Sequence, residues 1–168
     1  LYRELVAVTR ALDSAGIPSI ALKGAYLARF AYPDIGLRPM RDLDLLVPED
    51  KVVEAFELFK EKGYQPDYDV HLKTCLETQK HLPGLVSPDG NVIELHHRLM
   101  NPEPHRNPLL RDDIFQRSIS RTIGETGVRF LCPEDLLLHL CIHASLDHEL
   151  NVGPLVLADI AFLVETHE

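Results

Sequence analysis

An acidic strand with an apolar reverse side is the strongest constraint in this sequence. Residues 41–47 read RDLDLLV, so two aspartates alternate with leucines. Aspartate is depleted in β-strands, and side chains two residues apart on a strand point to the same face. Asp42 and Asp44 therefore share one face, while the leucines between them and Val47 point into a core. The two carboxylates can converge on a divalent cation, or they can form an ordinary solvated strand face.

Length and charge limit the classes of protein to consider. The chain has 168 residues, which is enough for one domain with a hydrophobic core, or one core with a small helical annex. Its formal net charge of −9 argues against wrapping around a long nucleic acid, which requires a basic stripe to displace counterions. A single nucleotide is not excluded, because a few local cations and a metal ion can hold its phosphates.

The cysteines and the hydropathy pattern indicate a cytoplasmic protein. Cys75, Cys132 and Cys141 are scattered without C-x-x-C spacing, which favours a reducing compartment. No run reaches the roughly 18 apolar residues that a membrane span requires, and no signal peptide opens the chain. The chain starts at Leu1 and stops within a helical pattern, so we expect a piece of a longer protein.

A strand that runs through glycine into a helix is suited to phosphate binding. Residues 19–22 predict a short buried strand, Lys23 and Gly24 follow it, and a helix is expected from Ala25 to residue 32. Free backbone N–H groups and the positive end of a helix dipole lie at such a turn, and Lys23 adds a mobile positive charge. The alternative is that Gly24 only permits a tight turn and Lys23 is a surface residue.

Two arginines come just before the acidic strand. Arg38 lies in a predicted loop over residues 34–40, and Arg41 immediately precedes Asp42. They can form internal ion pairs with the aspartates, or they can clamp a triphosphate, since a guanidinium matches phosphate geometry. The sequence does not separate these alternatives.

A second acidic strand follows a hairpin signal. Residues 82–87 and 91–99 are predicted strands joined by Pro-Asp-Gly. Alternation places Glu94 and His96 on one face, with Ile93 and Leu95 on the other. Glu94 is a candidate third metal carboxylate or a base. The alternative interpretation is that Glu94 lies on a solvated face of an antiparallel sheet.

The rest of the chain predicts mainly helices. Two histidines, His139 and His143, are spaced i,i+4 on the predicted helix 133–148, and Asp159 follows in a final apolar segment. This spacing resembles a zinc site, but packed histidines are the favoured interpretation because H-E-x-x-H and C-x-x-C are both absent. The other expected elements are helices over 1–15, 48–62 and 109–117, a strand over 64–70, a turn or short helix over 71–81, a loop over 101–108, and a hairpin of residues 118–123 with 128–131.

The order of these motifs resembles the polymerase beta-like nucleotidyltransferase superfamily. That signature combines a hydrophobic residue and glycine at a helix start, an Asp-x-Asp strand, and a carboxylate on a neighbouring strand. More closely, the chain is similar to a bacterial group of nucleotidyltransferases assigned mainly from their fold. Two differences stand out: Ala25 replaces the usual serine or glycine, and the interval from Gly24 to Asp42 is longer than in compact members. The segments that carry the closer resemblance are residues 22–24, Arg38, 41–47, 94–96, 133–136 and 143–144.

The resemblance implies an α+β nucleotidyltransferase fold with a small mixed sheet flanked by helices. A core over residues 1–100 would carry the site, and a mostly helical part over 101–168 would pack on it. Asp42, Asp44 and Glu94 would be catalytic and would bind two Mg²⁺ ions, with Mn²⁺ as the alternative. His96 would touch the acceptor or orient Glu94. The expected nucleotide-binding residues are Lys23, Gly24, Ala25, Arg38 and Arg41.

The implied reaction moves a nucleoside monophosphate from an NTP to a hydroxyl group and releases pyrophosphate. The acidic composition favours a small molecule or a protein side chain as acceptor over a long nucleic acid. Two other functions compete with this one. The first is a catalytically inactive nucleotide- or partner-binding module, such as an antitoxin or regulator. The second is a metal hydrolase that uses His139, His143 and Asp159.

Overall fold

The computed structural model describes residues 1–69, 71–101, 113–147, 149, 151 and 153–167. The strands in this part of the chain are β1 (Ile20–Ala21), β2 (Asp42–Leu46), β3 (Gln65–Pro66), β4 (Leu85–Val86), β5 (Val92–His96), β6 (Ile119–Ile123) and β7 (Thr126–Phe130). They form one mixed sheet in the order β3-β4-β5-β2-β1-β7-β6. The predicted α+β class with a mixed sheet is confirmed.

Seven α-helices accompany this sheet in the described residues. They are α1 (Tyr2–Ser14), α2 (Gly24–Tyr26), α3 (Val52–Glu61), α4 (Leu72–Thr78), α5 (Ile114–Arg117), α6 (Pro133–Ile142) and α7 (Leu155–His167). Two π-helical turns, Leu27–Ala31 and His143–Asp147, continue α2 and α6, and single 3₁₀ turns occupy Ile35–Leu37 and Glu49–Lys51. No helix among the described residues is both long enough and apolar enough to cross a membrane.

Helix α1 forms because its apolar residues recur every three to four positions. Leu5, Val8 and Leu12 lie on one face and are fully buried, which contributes about 1.5–3 kcal/mol for each side chain. The helix ends before Gly16, which has a φ of +70°, a conformation that glycine adopts at little cost. The chain then turns into β1.

The central strands bury the predicted apolar face. In β2, Leu43 and Leu45 are inaccessible to solvent, and in β5 the same holds for Ile93 and Leu95. Strand β2 pairs with β5 in parallel and with β1 in antiparallel orientation. The acidic side chains therefore project from the opposite face of the two strands at the middle of the sheet.

Some predicted elements are shorter than expected. The strand expected over 64–70 is reduced to β3, and the described part of the helix expected over 109–117 is α5. The loop expected over 101–108 lies almost wholly outside the described residues, as do His148 and Val70. Because residues 102–112 are outside the description, a domain boundary near residue 100 stays a prediction.

The hairpin β6–β7 joins the same sheet as the acidic strands. Ala21 of β1 pairs in parallel with Phe130 of β7, which places β7 directly beside β1. Local periodicity predicted this hairpin but not its partner, because pairing across about a hundred residues leaves no local pattern. The three cysteines are free thiols, of which Cys141 is exposed.

A buried histidine directly after β5 makes stability depend on pH. His97 is 6% exposed, and neither ring nitrogen has a hydrogen-bond partner. Burial, together with the neighbouring Arg98 charge, lowers the pKa of His97 to about 4. Between pH 6.5 and 4 the unfolded chain therefore binds a proton that the folded chain does not, so the free energy of unfolding falls as the pH drops through this window.

We expect His97→Phe to flatten this dependence. From pH 7 to pH 5, the wild-type chain should lose about 1–2 kcal/mol more stability than the variant, by the conversion of about 1.4 kcal/mol for each pKa unit. Urea unfolding at the two pH values measures the difference. His71→Phe, at an exposed position, is the matched control. An unchanged pH slope in His97→Phe would show that this imidazole is not the titrating group.

Candidate active site

The register of two parallel strands brings the acidic residues together. Asp44 in β2 lies directly opposite Glu94 in β5. Potential ligand atoms of Asp44, Glu94 and His96 all lie within 4.8 Å of one another. Of the residues that the structure describes, these three form the one histidine, cysteine and carboxylate group compact enough to hold a metal ion. The sequence predicted which strand face each acid lies on, and the strand register brings Asp44 and Glu94 close together.

His96 lies beneath the two carboxylates as a donor. Its side chain is fully buried, and Nε2 lies 2.9 Å from Asp44 Oδ1 and 3.4 Å from Glu94 Oε2. Burial lowers the pKa of His96, but hydrogen bonds to Asp44 and Glu94 outweigh burial, so the net shift is upward. Because the ring has no exposed surface, orienting the acids suits it better than touching an acceptor.

Lys23 reaches the same carboxylate from the turn after β1. Its Nζ lies 3.3 Å from Asp44 Oδ2. Burial raises the pKa of Asp44, but the Lys23 ammonium and the His96 hydrogen bond outweigh it and hold this pKa well below its usual range. Lys23 has a φ of +43°, in the left-handed region that side chains rarely adopt, and such strain concentrates at functional sites.

Asp42 is the third acidic residue of the cluster, and the other two carboxylates repel its negative charge. Burial, followed by the negative charges of Asp44 and Glu94, raises the pKa of Asp42. A divalent cation among these carboxylates would relieve that repulsion. Oxygen ligands of this kind are those that Mg²⁺ prefers, so the donor set fits the predicted metal.

The predicted phosphate-binding residues differ in their surroundings. Lys23, Gly24, Ala25 and Arg38 line one cleft with the acids, whereas Arg41 is exposed and is not among its lining residues. The N–H of Ala25 donates to the carbonyl of Leu22 at 3.3 Å, so it is already engaged within the turn.

Gly24 permits the close approach of Arg38. A Cβ atom built at this position would lie 2.6 Å from Arg38 Nη1, so a larger residue would displace the guanidinium. The guanidinium therefore packs directly on the turn that opens α2. The glycine thus has a second role besides permitting the turn.

The cleft has a volume of about 400 Å³ and includes residues that sequence reasoning missed. His81 is one of them: its Nδ1 donates to the Leu82 carbonyl at 2.8 Å, which leaves Nε2 3.7 Å from Glu94 Oε2. Lys80 is the other with a polar side chain, and His143, which the sequence assigned only to the alternative histidine site, also lines the cleft. His81 precedes the hairpin in a polar segment, and nothing in that pattern indicated that it pairs across to His96.

The alternative histidine–aspartate metal site is not formed. Asp159 binds Arg38 and Tyr32 instead of a histidine. The rings of His139 and His143 lie 6.3 Å apart, and His139 is fully buried with no hydrogen-bond partner on either nitrogen. Burial, with nearby positive charges, lowers the pKa of His139 well below its usual range, so this ring is a neutral packed histidine.

Comparison with known families gives one match over the whole chain. The model of a family described as uncharacterised nucleotidyltransferases matches residues 1–168. Among curated proteins, no match to this sequence was found.

Solved structures share the fold at low sequence identity. The lincosamide antibiotic adenylyltransferase LnuA with bound lincomycin has a TM-score of 0.67 and 12% identity, covering 98% of this chain and 96% of its own. ANT(2″)-Ia in complex with adenylyl-2″-tobramycin has a TM-score of 0.68 and 10% identity, covering 99% and 89%. An antigenic nucleotidyltransferase-like protein from Paracoccidioides brasiliensis has a TM-score of 0.62 and 16% identity, covering 98% and 75%. These likenesses confirm the predicted fold.

Proposed function

This chain belongs to the family of uncharacterised nucleotidyltransferases, and we propose on that premise that it transfers a nucleoside monophosphate from an NTP to a hydroxyl group of a small molecule. Membership confirms the predicted nucleotidyltransferase family and enzyme class. The observation that carries the finer proposal is the convergence of Asp44 and Glu94 over the buried His96, in a cleft that Lys23 and Asp42 also line.

Three carboxylates would hold the metal. Asp42, Asp44 and Glu94 are the proposed ligands of Mg²⁺, with two ions expected and Mn²⁺ as the alternative. Such an ion supplies charge stabilisation for the reacting phosphate and lowers the pKa of a bound hydroxyl. His96 keeps Asp44 and Glu94 in place through its donor nitrogen, so the ligand set is organised before a cation arrives.

Lys23 and Arg38 would bind the triphosphate. Both line the cleft beside Gly24 and supply positive charge there, with the Arg38 guanidinium packed on the turn. We expect Lys23 to exchange its bond to Asp44 for one to a phosphate oxygen when the nucleotide binds.

Glu94 is the proposed proton acceptor. It is partly exposed to the cleft, so an acceptor hydroxyl can approach it. The hydroxyl oxygen forms a bond to the α-phosphorus, its proton passes to the Glu94 carboxylate, and the bond to pyrophosphate breaks. Pyrophosphate leaves on the side of Lys23 and Arg38.

A small molecule is the proposed acceptor. LnuA and ANT(2″)-Ia were solved with lincomycin and with an adenylylated tobramycin, which are small hydroxylated compounds. The cleft volume of about 400 Å³ is too small to enclose both a nucleotide and a second compound of moderate size. Part of the acceptor would therefore project from the cleft. The net charge of −9 disfavours a long nucleic acid and favours an uncharged or cationic acceptor. A cytoplasmic location, where NTPs are abundant, is part of the same proposal.

The test measures pyrophosphate release from each of the four NTPs with Mg²⁺ and a panel of hydroxylated small molecules. We expect release that requires one of these compounds, stops on addition of EDTA, and yields a product heavier by one nucleoside monophosphate in mass spectrometry. Binding of NTP without release under any condition would favour an inactive binding module. Incorporation of labelled nucleotide into proteins alone would contradict the small-molecule acceptor.

A further inference from the structure

An ion pair links the last helix to the phosphate side of the cleft. Arg38 Nε donates to Asp159 Oδ1 at 3.1 Å, and Arg38 Nη2 donates to Asp159 Oδ2 at 2.9 Å. This two-pronged arrangement fixes the plane of a guanidinium as well as its position. Asp159 lies on α7, 121 residues from Arg38 along the chain.

The Asp159 carboxylate is buried, and both of its oxygens accept hydrogen bonds. Its residue is 3% exposed, and Oδ1 also accepts a hydrogen bond from the Tyr32 hydroxyl at 2.8 Å. A buried carboxylate costs free energy unless its oxygens are paired, and here both oxygens have donors. Burial lowers the pKa of Arg38, but the bonds to Asp159 outweigh it, so the guanidinium remains charged.

The remaining nitrogen of Arg38 faces the turn at Gly24. Nη1 donates to the Pro39 carbonyl at 3.1 Å and lies 2.6 Å from where a Cβ of residue 24 would be. A guanidinium has five N–H groups, and the described residues accept hydrogen bonds from three of those of Arg38. Two N–H groups are left for a ligand in the cleft that Arg38 lines with Lys23 and Asp44.

Helix α7 has other contacts that hold it in place. The Thr166 hydroxyl oxygen lies 3.2 Å from the Ala31 carbonyl oxygen, the Tyr26 hydroxyl lies 3.0 Å from His167 Nε2, and the rings of Tyr32 and Phe162 lie 4.4 Å apart. The helix therefore does not depend on Asp159 alone for its docking. We therefore look for a role of the Asp159 carboxylate other than holding α7 in place.

We propose that Asp159, supported by Tyr32, is a positioning residue that holds the Arg38 guanidinium ready for the β- and γ-phosphates of the NTP, which rests on the function proposed above. Helix α7 then takes part in nucleotide binding without touching the nucleotide. The class of ligand is a nucleoside triphosphate rather than a monophosphate, because the Arg38 guanidinium and the Lys23 ammonium both line the cleft and together suit more than one phosphate group.

The test compares Asp159→Asn with the wild-type chain in nucleotide binding and in turnover. Calorimetry with NTP and with the matching NMP comes first. We expect Asp159→Asn to weaken NTP binding and raise its KM about tenfold, as the loss of a bond to a charged group does, while NMP binding and kcat change little. Tyr32→Phe should cause a smaller change in the same direction. Asp159→Glu should restore part of the NTP affinity.

Asp135→Asn is the matched control. Asp135 pairs with Arg117 at 2.9 Å, and neither residue is among those lining the cleft. We expect this variant to leave the KM for NTP unchanged. A purely structural role for Asp159 would instead lower the thermal midpoint and the active fraction at constant KM, and that outcome would overturn the inference.

A further variant covers the case in which Asp159→Asn does not fold. Arg38→Lys keeps the positive charge but loses the fork, so it should show the same rise in KM for NTP, and a normal KM would overturn the inference. Failure of the wild-type chain to bind any NTP would instead refute the proposed function. The two failures are therefore distinguishable.

Discussion

Replacing Asp44 with asparagine is expected to lower nucleotidyl transfer by about 10³-fold or more, equivalent to about 4 kcal/mol of transition-state stabilisation. Asparagine keeps the size of the side chain and one oxygen but removes the negative charge. Asp44 is the carboxylate that both His96 and Lys23 contact, so its charge is the centre of the cluster. Pyrophosphate release at saturating NTP and acceptor measures the loss.

Two further variants separate charge from structure. Asp13→Asn, at an exposed position in α1, makes the same chemical change away from the cleft and should leave the rate unchanged. Lys23→Met removes the ion pair but keeps the Asp44 carboxylate, so we expect a raised KM for NTP rather than loss of turnover. Near wild-type transfer by a folded Asp44→Asn variant would contradict the metal-binding role.

Glu94→Gln is expected to lower kcat by about 10²-fold, within the range typical of a general base. The amide cannot take a proton from the acceptor hydroxyl, and it is a poorer ligand for a hard cation. The KM for NTP should change less than kcat, because Glu94 is proposed to act on the acceptor hydroxyl rather than on the triphosphate. Steady-state rates with NTP and acceptor varied in turn measure the two effects.

Glu77→Gln is the control for this prediction. Glu77 is an exposed glutamate on α4 whose ion-pair distance to Lys73 is 3.9 Å, and it does not line the cleft. It should behave as wild type in both parameters. If Glu94→Gln changed only the KM for NTP, Glu94 would belong to nucleotide binding and another group would take the proton. His81, 3.7 Å from Glu94, would then be the next residue to replace.

Local alternation was enough to predict the acidic faces of the two strands. Leucines at every second position define the buried side of β2, and the same pattern in β5 places Glu94 beside His96. A strand has only two faces, so a buried apolar side fixes the direction of the acids. The role of each acid in catalysis stays a prediction that the variants above test.

The strand register and the pairing of residues distant in the chain could not be predicted from local sequence patterns. Nothing local says that Asp44 stands opposite Glu94, because parallel partners 50 residues apart are selected by the whole sheet. The bond from Arg38 to Asp159 is a stronger case: the sequence suggested partners among the nearby aspartates, and the chain uses one from its last helix. His81 was missed because a backbone carbonyl, which has no sequence signature, orients its ring.

The placement of β2 and β5 inside the sheet has a consequence for hydrogen exchange. Both strands have a hydrogen-bonded neighbour on each side, whereas β3 and β6 are the outer strands. Local opening begins where the fewest contacts must break, so the amides of β3 and β6 should exchange early and those of the two inner strands late. A molecule frayed at both margins would thus still carry its acids in their native spacing.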